Sequence, residues 1–234
     1  MSDTPEIDEV EKYDGVTIKD SVTTCGDESS SVYIPVIFAR QLERERDEAR
    51  AITFESQYWG DCCNTFDEDQ KHYVYARYMG LKQVGYSFDV GGARIIDIGG
   101  GPTSMLLKTI NLAPRSLVVD PLHYPDWTYD RYSAKGIDSL VVRGEDIFEQ
   151  GYDECWIYNC LQHTDDPERI IKNALNAAKT LRIFEWVDVP PHDGHPIELT
   201  SAKLDAWIGK EGQTIRLAES GCFGKAYFNT YTHE

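Results

Sequence analysis

One stretch constrains this chain more than any other: Arg94-Ile-Ile-Asp-Ile-Gly-Gly-Gly-Pro-Thr-Ser104. A β-branched apolar run enters three glycines, then a proline, then a segment that reads as a helix start. Glycines at such a point let the main chain turn sharply and let a ligand come close to backbone atoms. The helix expected next, at about residues 103–112, would turn its positive N-terminal end to the same spot. A nucleotide-like ligand is the first expectation.

Beyond this turn the chain alternates. Strands are expected at 94–98, 116–120, 139–143, 154–158 and 181–186, and helices at about 103–112, 127–135, 167–179 and 200–208. Runs such as Ser116-Leu-Val-Val-Asp120 are apolar nearly throughout, as in a parallel sheet covered on both faces. The helix at 167–179 is the clearest. Asp166 can cap it, Pro167 suits its first turn, and Ile170, Ile171, Ala174, Leu175 and Ala178 form its buried stripe. Strands near 213–217 and 225–230 read as a C-terminal antiparallel pair.

The region before residue 93 reads differently. Residues 1–31 hold nine acidic and two basic side chains among Ser, Thr and Gly, the composition of a disordered tail. Residues 35–51 look helical, 54–66 aromatic and irregular, and 67–81 helical again with Asp67 as a cap. The expected organisation is an acidic tail over 1–31, an N-terminal helical segment or lid over 32–92, and a ligand-binding domain over 93–234.

A net charge of −17 argues against a nucleic-acid partner and against an anionic membrane surface. No apolar run approaches membrane-spanning length. The six cysteines form no C-x-x-C pair, which suits a reducing, cytoplasmic setting.

The turn itself excludes some ligands. The dinucleotide fingerprint G-x-G-x-x-G needs a glycine where Ser104 stands, and Pro102 removes an amide that a pyrophosphate would use. No phosphate-binding G-x-x-x-x-G-K-[ST] is present. Asp120, at the end of the second strand, can accept both hydroxyls of a ribose. Glu145 and Asp146 follow the third strand, where an acid can accept from an adenine amine. His192-Asp-Gly-His195, with Glu198, has spacing too loose for a zinc site, so no metal is expected.

Together Asp97-Ile-Gly-Gly-Gly-Pro102, Val-Val-Asp120, Gly-Glu-Asp146 and Trp156-Ile-Tyr-Asn-Cys-Leu-Gln-His-Thr-Asp-Asp-Pro167 resemble the class I S-adenosylmethionine-dependent methyltransferases. The resemblance covers roughly residues 94–230. It implies a three-layer, doubly wound α/β fold: a seven-stranded, mostly parallel sheet with an antiparallel last strand, here with added N-terminal helices. It implies that Gly99, Gly100 and Gly101 carry the methionine part of the donor and that Asp97 orients the turn or the methionine amine. Asp120, with Pro121 beside it, would hold the ribose, and Glu145 or Asp146 would face the adenine. Asn159, Gln162 and His163 would lie near the sulfonium and the acceptor. Pro102-Thr103 departs from the small residues commoner in that family.

An amine acceptor needs little beyond desolvation, whereas a hydroxyl acceptor needs a general base. His163 and His195 are the candidate bases, with His123 on the loop after the second strand. Tyr58 and Trp59 are candidate lid or acceptor-wall residues. The expected activity is methyl transfer from S-adenosylmethionine to a small molecule such as a sugar or another hydroxyl- or amine-bearing metabolite. A non-catalytic binding module and a nicotinamide-dependent oxidoreductase are the alternatives.

Overall fold

The computed structural model describes residues 52–192 and 194–232 in full, and before them the backbone of four short strands. These are β1 (Val10–Tyr13), β2 (Val16–Lys19), β3 (Val22–Cys25) and β4 (Val32–Ile34), an antiparallel sheet in chain order. This differs from the tail expected over 1–31. Each strand carries β-branched residues suited to a pleated ladder, a signal that charge counting overlooks. The helix expected at 35–51 lies outside the described residues.

The chain divides into two compact units, Met1–Arg50 and Ala51–Glu234. The division therefore falls well before residue 93. The second unit opens with helix α1 (residues 52–59), where the sequence suggested an irregular stretch. Helix α2 (Phe66–Tyr78) follows, then a hairpin of β5 (Lys82–Val84) and β6 (Ser87–Asp89).

The central sheet comprises β7 (Ile95–Ile98), β9 (Ser116–Asp120), β10 (Ile137–Val141), β11 (Tyr152–Tyr158), β12 (Ala178–Val187), β13 (Gln213–Glu219) and β14 (Cys222–Thr232). Its order is β10-β9-β7-β11-β12-β14-β13. The first five strands run parallel, and β14 is antiparallel to both of its neighbours. This is the doubly wound sheet with an antiparallel strand that the sequence implied. Register pairs Ile98 with Ile157 and Val119, and Asp120 with Val141, so the strand tips share one edge.

Alternation along β7 explains the two cores. Ile96 and Ile98 face one side, with Ile157 and Ile183, against Ile170, Ile171, Ala174 and Ala177 of α4 (Pro167–Ala177). Ile95 faces the other side, with Val118, Trp156 and Phe184, against Tyr75 and Met79 of the α2 region and Tyr132 of α3 (Asp126–Ala134). Each such aliphatic or aromatic side chain contributes about 1.5–3 kcal/mol on burial. Asp166 caps α4 by accepting from the Arg169 amide at 3.0 Å, as its position suggested. Thr200 caps α5 (Ser201–Ile208) in the same way.

The helix expected at 103–112 is absent. Two 3₁₀ turns, Gly101–Thr103 and Met105–Lys108, stand in its place, and β8 (Thr109–Ile110) then pairs with β6. The cause is local. Ser104 is held extended (φ −48°, ψ 142°), accepts from the Leu106 amide and donates to Asp97. Tyr132 and Tyr158 take the Ser104 and Met105 amides, each at 3.0 Å. These side-chain bonds replace the helical ladder.

No helix among the described residues is long and apolar enough to cross a membrane. Cys62, Cys63, Cys155, Cys160 and Cys222 are free thiols.

Candidate functional site

The site lies at the edge where β7, β9, β11 and β12 end. At Gly99 (φ 75°) an added Cβ would meet Cys160 Cβ at 2.5 Å, so the turns after β7 and β11 touch through a position that admits only glycine. At Gly100 it would meet Asp97 Oδ2 at 2.7 Å. Gly101 is different: an added Cβ would meet only the Tyr124 hydroxyl and Trp59, at the ordinary contact distances of 3.8 and 4.0 Å.

Asp97 is fully buried on β7. Its Oδ2 accepts from the Ser104 hydroxyl and from Tyr158 at 2.6 Å, while Oδ1 has no hydrogen-bond partner. Burial pushes its carboxyl up to about 7, against the lowering effect of those two bonds. Asp120 ends β9. Its Oδ2 accepts from the Gly101 amide at 3.1 Å, and its Oδ1 from the Leu122 amide at 3.0 Å and the Tyr124 hydroxyl at 2.9 Å. Burial raises its carboxyl to about 6. Beside it is a small cleft lined by Val118, Leu122, Tyr129, Tyr132 and Leu140 among others.

The two acids after β10 bond to other parts of the chain. Glu145 Oε1 accepts from the Asp165 amide at 3.2 Å, the Asp166 amide at 3.3 Å and Arg143 at 3.3 Å, and so anchors the loop leading into α4. Asp146 forms an exposed pair with Arg169 at 3.0 Å. Pro121 and His123 are exposed on the loop after β9.

The second half of the edge is built around His163. Asn159 leaves β11 in a left-handed conformation (φ 51°) and donates to Glu68 Oε1 at 3.2 Å. Gln162 Nε2 lies 3.1 Å from Asn159 Oδ1 and 3.3 Å from His163 Nε2. His163 Nδ1 lies 2.6 Å from the Gly194 carbonyl and 3.1 Å from Glu55 Oε1 of α1. Burial alone would lower the His163 pKa, but Glu55 and the Gly194 carbonyl outweigh it, and the net direction is up.

His195 stands edge-on to His163, with ring centroids 4.5 Å apart. Burial first, and then the neighbouring His163 and His192, lower its pKa to about 4. It is therefore neutral at pH 7 and a weak base. The two histidines proposed together from sequence have separate characters.

Sequence reasoning missed Glu55, Tyr124, Gly194 and Glu185. Glu185 is fully buried at the end of β12, and its Oε1 accepts from the Cys160 and Leu161 amides at 3.0 and 3.2 Å. Burial raises its carboxyl to about 7. A lone acid closing the apolar run Ile183-Phe184-Glu185 was the available signal. Glu55 and Tyr124 carried none. Helix α1 crosses both halves: Trp59 lies over Gly101, Glu55 on His163, and the Phe54 ring against Gly194. Tyr58 is about half exposed and packs edge-on against Trp59.

Neither family models nor curated proteins match this chain. Solved structures do. The magnesium protoporphyrin IX methyltransferase of Synechocystis PCC 6803, solved with bound S-adenosylmethionine, aligns over 83% of this chain and 96% of its own, at 13% identity and a TM-score of 0.53. LaPhzM aligns over 78% of this chain at 15% identity and a TM-score of 0.50. The [4+2]-cyclase SpnF aligns over 63% of this chain at 19% identity and a TM-score of 0.47. The chain spans 62% of the length of LaPhzM and 57% of that of SpnF. These are likenesses of fold.

Proposed function

We propose that this chain, which carries the fold of the class I S-adenosylmethionine-dependent methyltransferases, binds S-adenosylmethionine at the tips of β7 and β9 and passes its methyl group to a small molecule. One observation carries the reading. The Gly101 amide and the Asp120 carboxylate meet at 3.1 Å, so turn and acid form one surface.

The residues suit the donor. Asp120 already accepts from a hydroxyl, that of Tyr124, and a ribose hydroxyl is the same kind of partner. Asp97 keeps one buried oxygen without a partner, available to a cationic amine or to water beside it. Over Gly101 lie only the Tyr124 hydroxyl and the Trp59 ring, both side chains that can move aside. The cleft at Asp120 is far too small for the donor and the Tyr124 hydroxyl occupies Asp120 Oδ1, so donor entry requires Tyr124 to swing off Asp120. Helix α1 serves as the lid, with Trp59 over the turn.

When bound, the donor supplies an already activated methyl group. The protein then orients the acceptor and excludes water, a contribution of roughly 7–11 kcal/mol at most. The acid-rich edge and the net charge of −17 favour a small acceptor over nucleic acid. The dinucleotide alternative loses support from the absent helix. A diphosphate would sit on a helix N-terminus, and only a short 3₁₀ turn follows the glycines.

Asp120→Ala tests the reading. Two hydrogen bonds to an ionised carboxylate, at about 1.5–3 kcal/mol each, predict donor affinity weaker by about a hundredfold or more in calorimetry. Unchanged affinity would remove the donor from this place. Release of S-adenosylhomocysteine across a metabolite panel separates an enzyme from a silent binding module.

A further inference from the structure

We propose that Glu55 and His163 form an acid–base couple that accepts the proton of a hydroxyl-bearing acceptor, with His163 as the base and Glu55 as its positioning residue. The inference rests on the methyl-transfer reading and adds to it a substrate class and a residue contributed by the covering helix.

The argument begins with the ring. Both neighbours of His163 Nδ1, the Gly194 carbonyl at 2.6 Å and Glu55 Oε1 at 3.1 Å, can only accept hydrogen bonds. Nδ1 therefore carries the hydrogen, and Nε2 is the basic nitrogen of the neutral ring. Nε2 has only a long contact, 3.3 Å, from the Gln162 amide nitrogen, which an acceptor hydroxyl can displace. The side chains of His163 and Glu55 are 19% and 20% exposed, enough to be reached from the edge.

The surroundings match the task. Facing the couple are Glu185 from β12 and His195 from the loop after it, with His192 beside His195. Asp120 is close enough on β9 for Glu55 to raise its carboxyl further. Glu55, the Gly194 carbonyl and Glu185 favour a proton on His163 against the effect of burial. A base poised close to the working pH serves general-base chemistry best. An amine acceptor has its lone pair exposed once uncharged and needs no such arrangement, whereas a hydroxyl does. In the step, the acceptor proton moves to His163 Nε2, the oxygen lone pair forms the bond to the methyl carbon, and sulfur keeps the electron pair of the broken carbon–sulfur bond. Water then takes the proton from the imidazolium.

Because Glu55 comes from α1, the couple exists only while that helix lies across the edge. Proton acceptance is thereby tied to closure.

The test uses the full chain with Glu55→Gln and His163→Gln. Imidazole NMR titration, with His163 assigned from its loss in H163Q, should place the wild-type His163 above its ordinary range and E55Q lower by about a unit. Methyl-labelled S-adenosylmethionine is then offered with phenols and sugars on one side and primary amines on the other. The hydroxyl set should be methylated, with a rate that climbs with pH through the His163 titration. E55Q should move that acid limb to lower pH and cut the plateau about tenfold or more. H163Q should cost about 10²–10⁴-fold, with donor affinity by calorimetry held within about twofold. An unmoved His163 titration or acid limb in E55Q overturns the couple, as does methylation of amines alone at an unchanged rate in H163Q. Failure of the donor to bind instead sinks the methyl-transfer reading, and the couple's role in proton transfer with it. Donor binding with an unmoved titration sinks the couple alone.

Discussion

The β7–β9 half of the site and the β11–β12 half are built by different rules. In the first, Asp120 takes bonds from nearby in sequence, Gly101 at 19 residues and Tyr124 at 4, while the turn after β7 is held by Tyr132 and Tyr158 of α3 and β11 across 28 and 53. In the second the partners come from α1, α2 and β12. Asn159 reaches Glu68 across 91 residues, Cys160 reaches Glu185 across 25, and His163 meets Glu55 of a distant helix. The first half is assembled from the sheet and its covering helix α3, with Tyr132 and Tyr158 reaching the turn after β7. The second exists only after α1, α2 and the loop after β12 have docked. A donor common to many enzymes suits the first kind of construction, and an acceptor particular to one suits the second.

The sharpest break between the halves is Gly99, where they touch. Gly99→Ala places a methyl 2.5 Å from Cys160 Cβ and forces φ 75° on a residue with a side chain. Overpacking at about 1–3 kcal/mol and left-handed backbone at about 1–2 kcal/mol add to roughly 2–5 kcal/mol of lost stability in urea unfolding. A loss below about 1 kcal/mol would show that the two turns move apart freely.

A subtler division appears in pH. Asp97, Asp120 and Glu185 are buried carboxyls raised to about 7, 6 and 7, so each half holds at least one. The folded chain keeps their protons where the unfolded chain, with ordinary carboxyls near 4, has released them. Between about pH 4 and pH 7 the native state binds more protons, and these groups lower stability as pH rises, levelling off above that window. Glu185→Gln removes one such group. Relative to wild type it should gain stability from pH 5 to pH 7 with a slope approaching one proton, at most about 1.4 kcal/mol per pH unit. A pH-independent difference between the two proteins would mean that Glu185 is ionised throughout.

The smallest effect belongs to Asp146, which with Glu145 was one of two acids that the family resemblance offered to the adenine, and which forms an exposed pair with Arg169. Asp146→Asn should cost under about 1 kcal/mol and leave donor affinity unchanged. A clear loss of donor affinity would return Asp146 to the site and weaken the contrast between strand-tip acids and surface acids.

Much of the fold was legible in advance because its signals are local. Continuous apolar runs marked β7, β9, β11 and β12, and the Asp166-Pro167 start marked α4. The missing helix after the glycines was not legible. Its loss follows from Tyr132 and Tyr158 capturing amides from 28 and 53 residues away. Asp97 and Asp120 could be picked out as strand-end acids, whereas the bonds of Glu145 to the Asp165 and Asp166 amides, 20 and 21 residues away, left no local signal. His163 and His195 looked alike as loop histidines. Burial and neighbours set them apart, one raised and one lowered to about 4.

By itself, then, the sequence determined the order of the seven central-sheet strands and of α3, α4 and α5 from residue 94 onward, and the identity of the turn at their edge. Hydrophobic periodicity and turn chemistry act over a few residues and need no partner. Only the tertiary structure decided which side chain would hold His163, which hydroxyl would rest on Asp120, and which acids would be spent on anchoring loops. Hydrogen bonding and desolvation depend on distances between chain segments that only packing brings together.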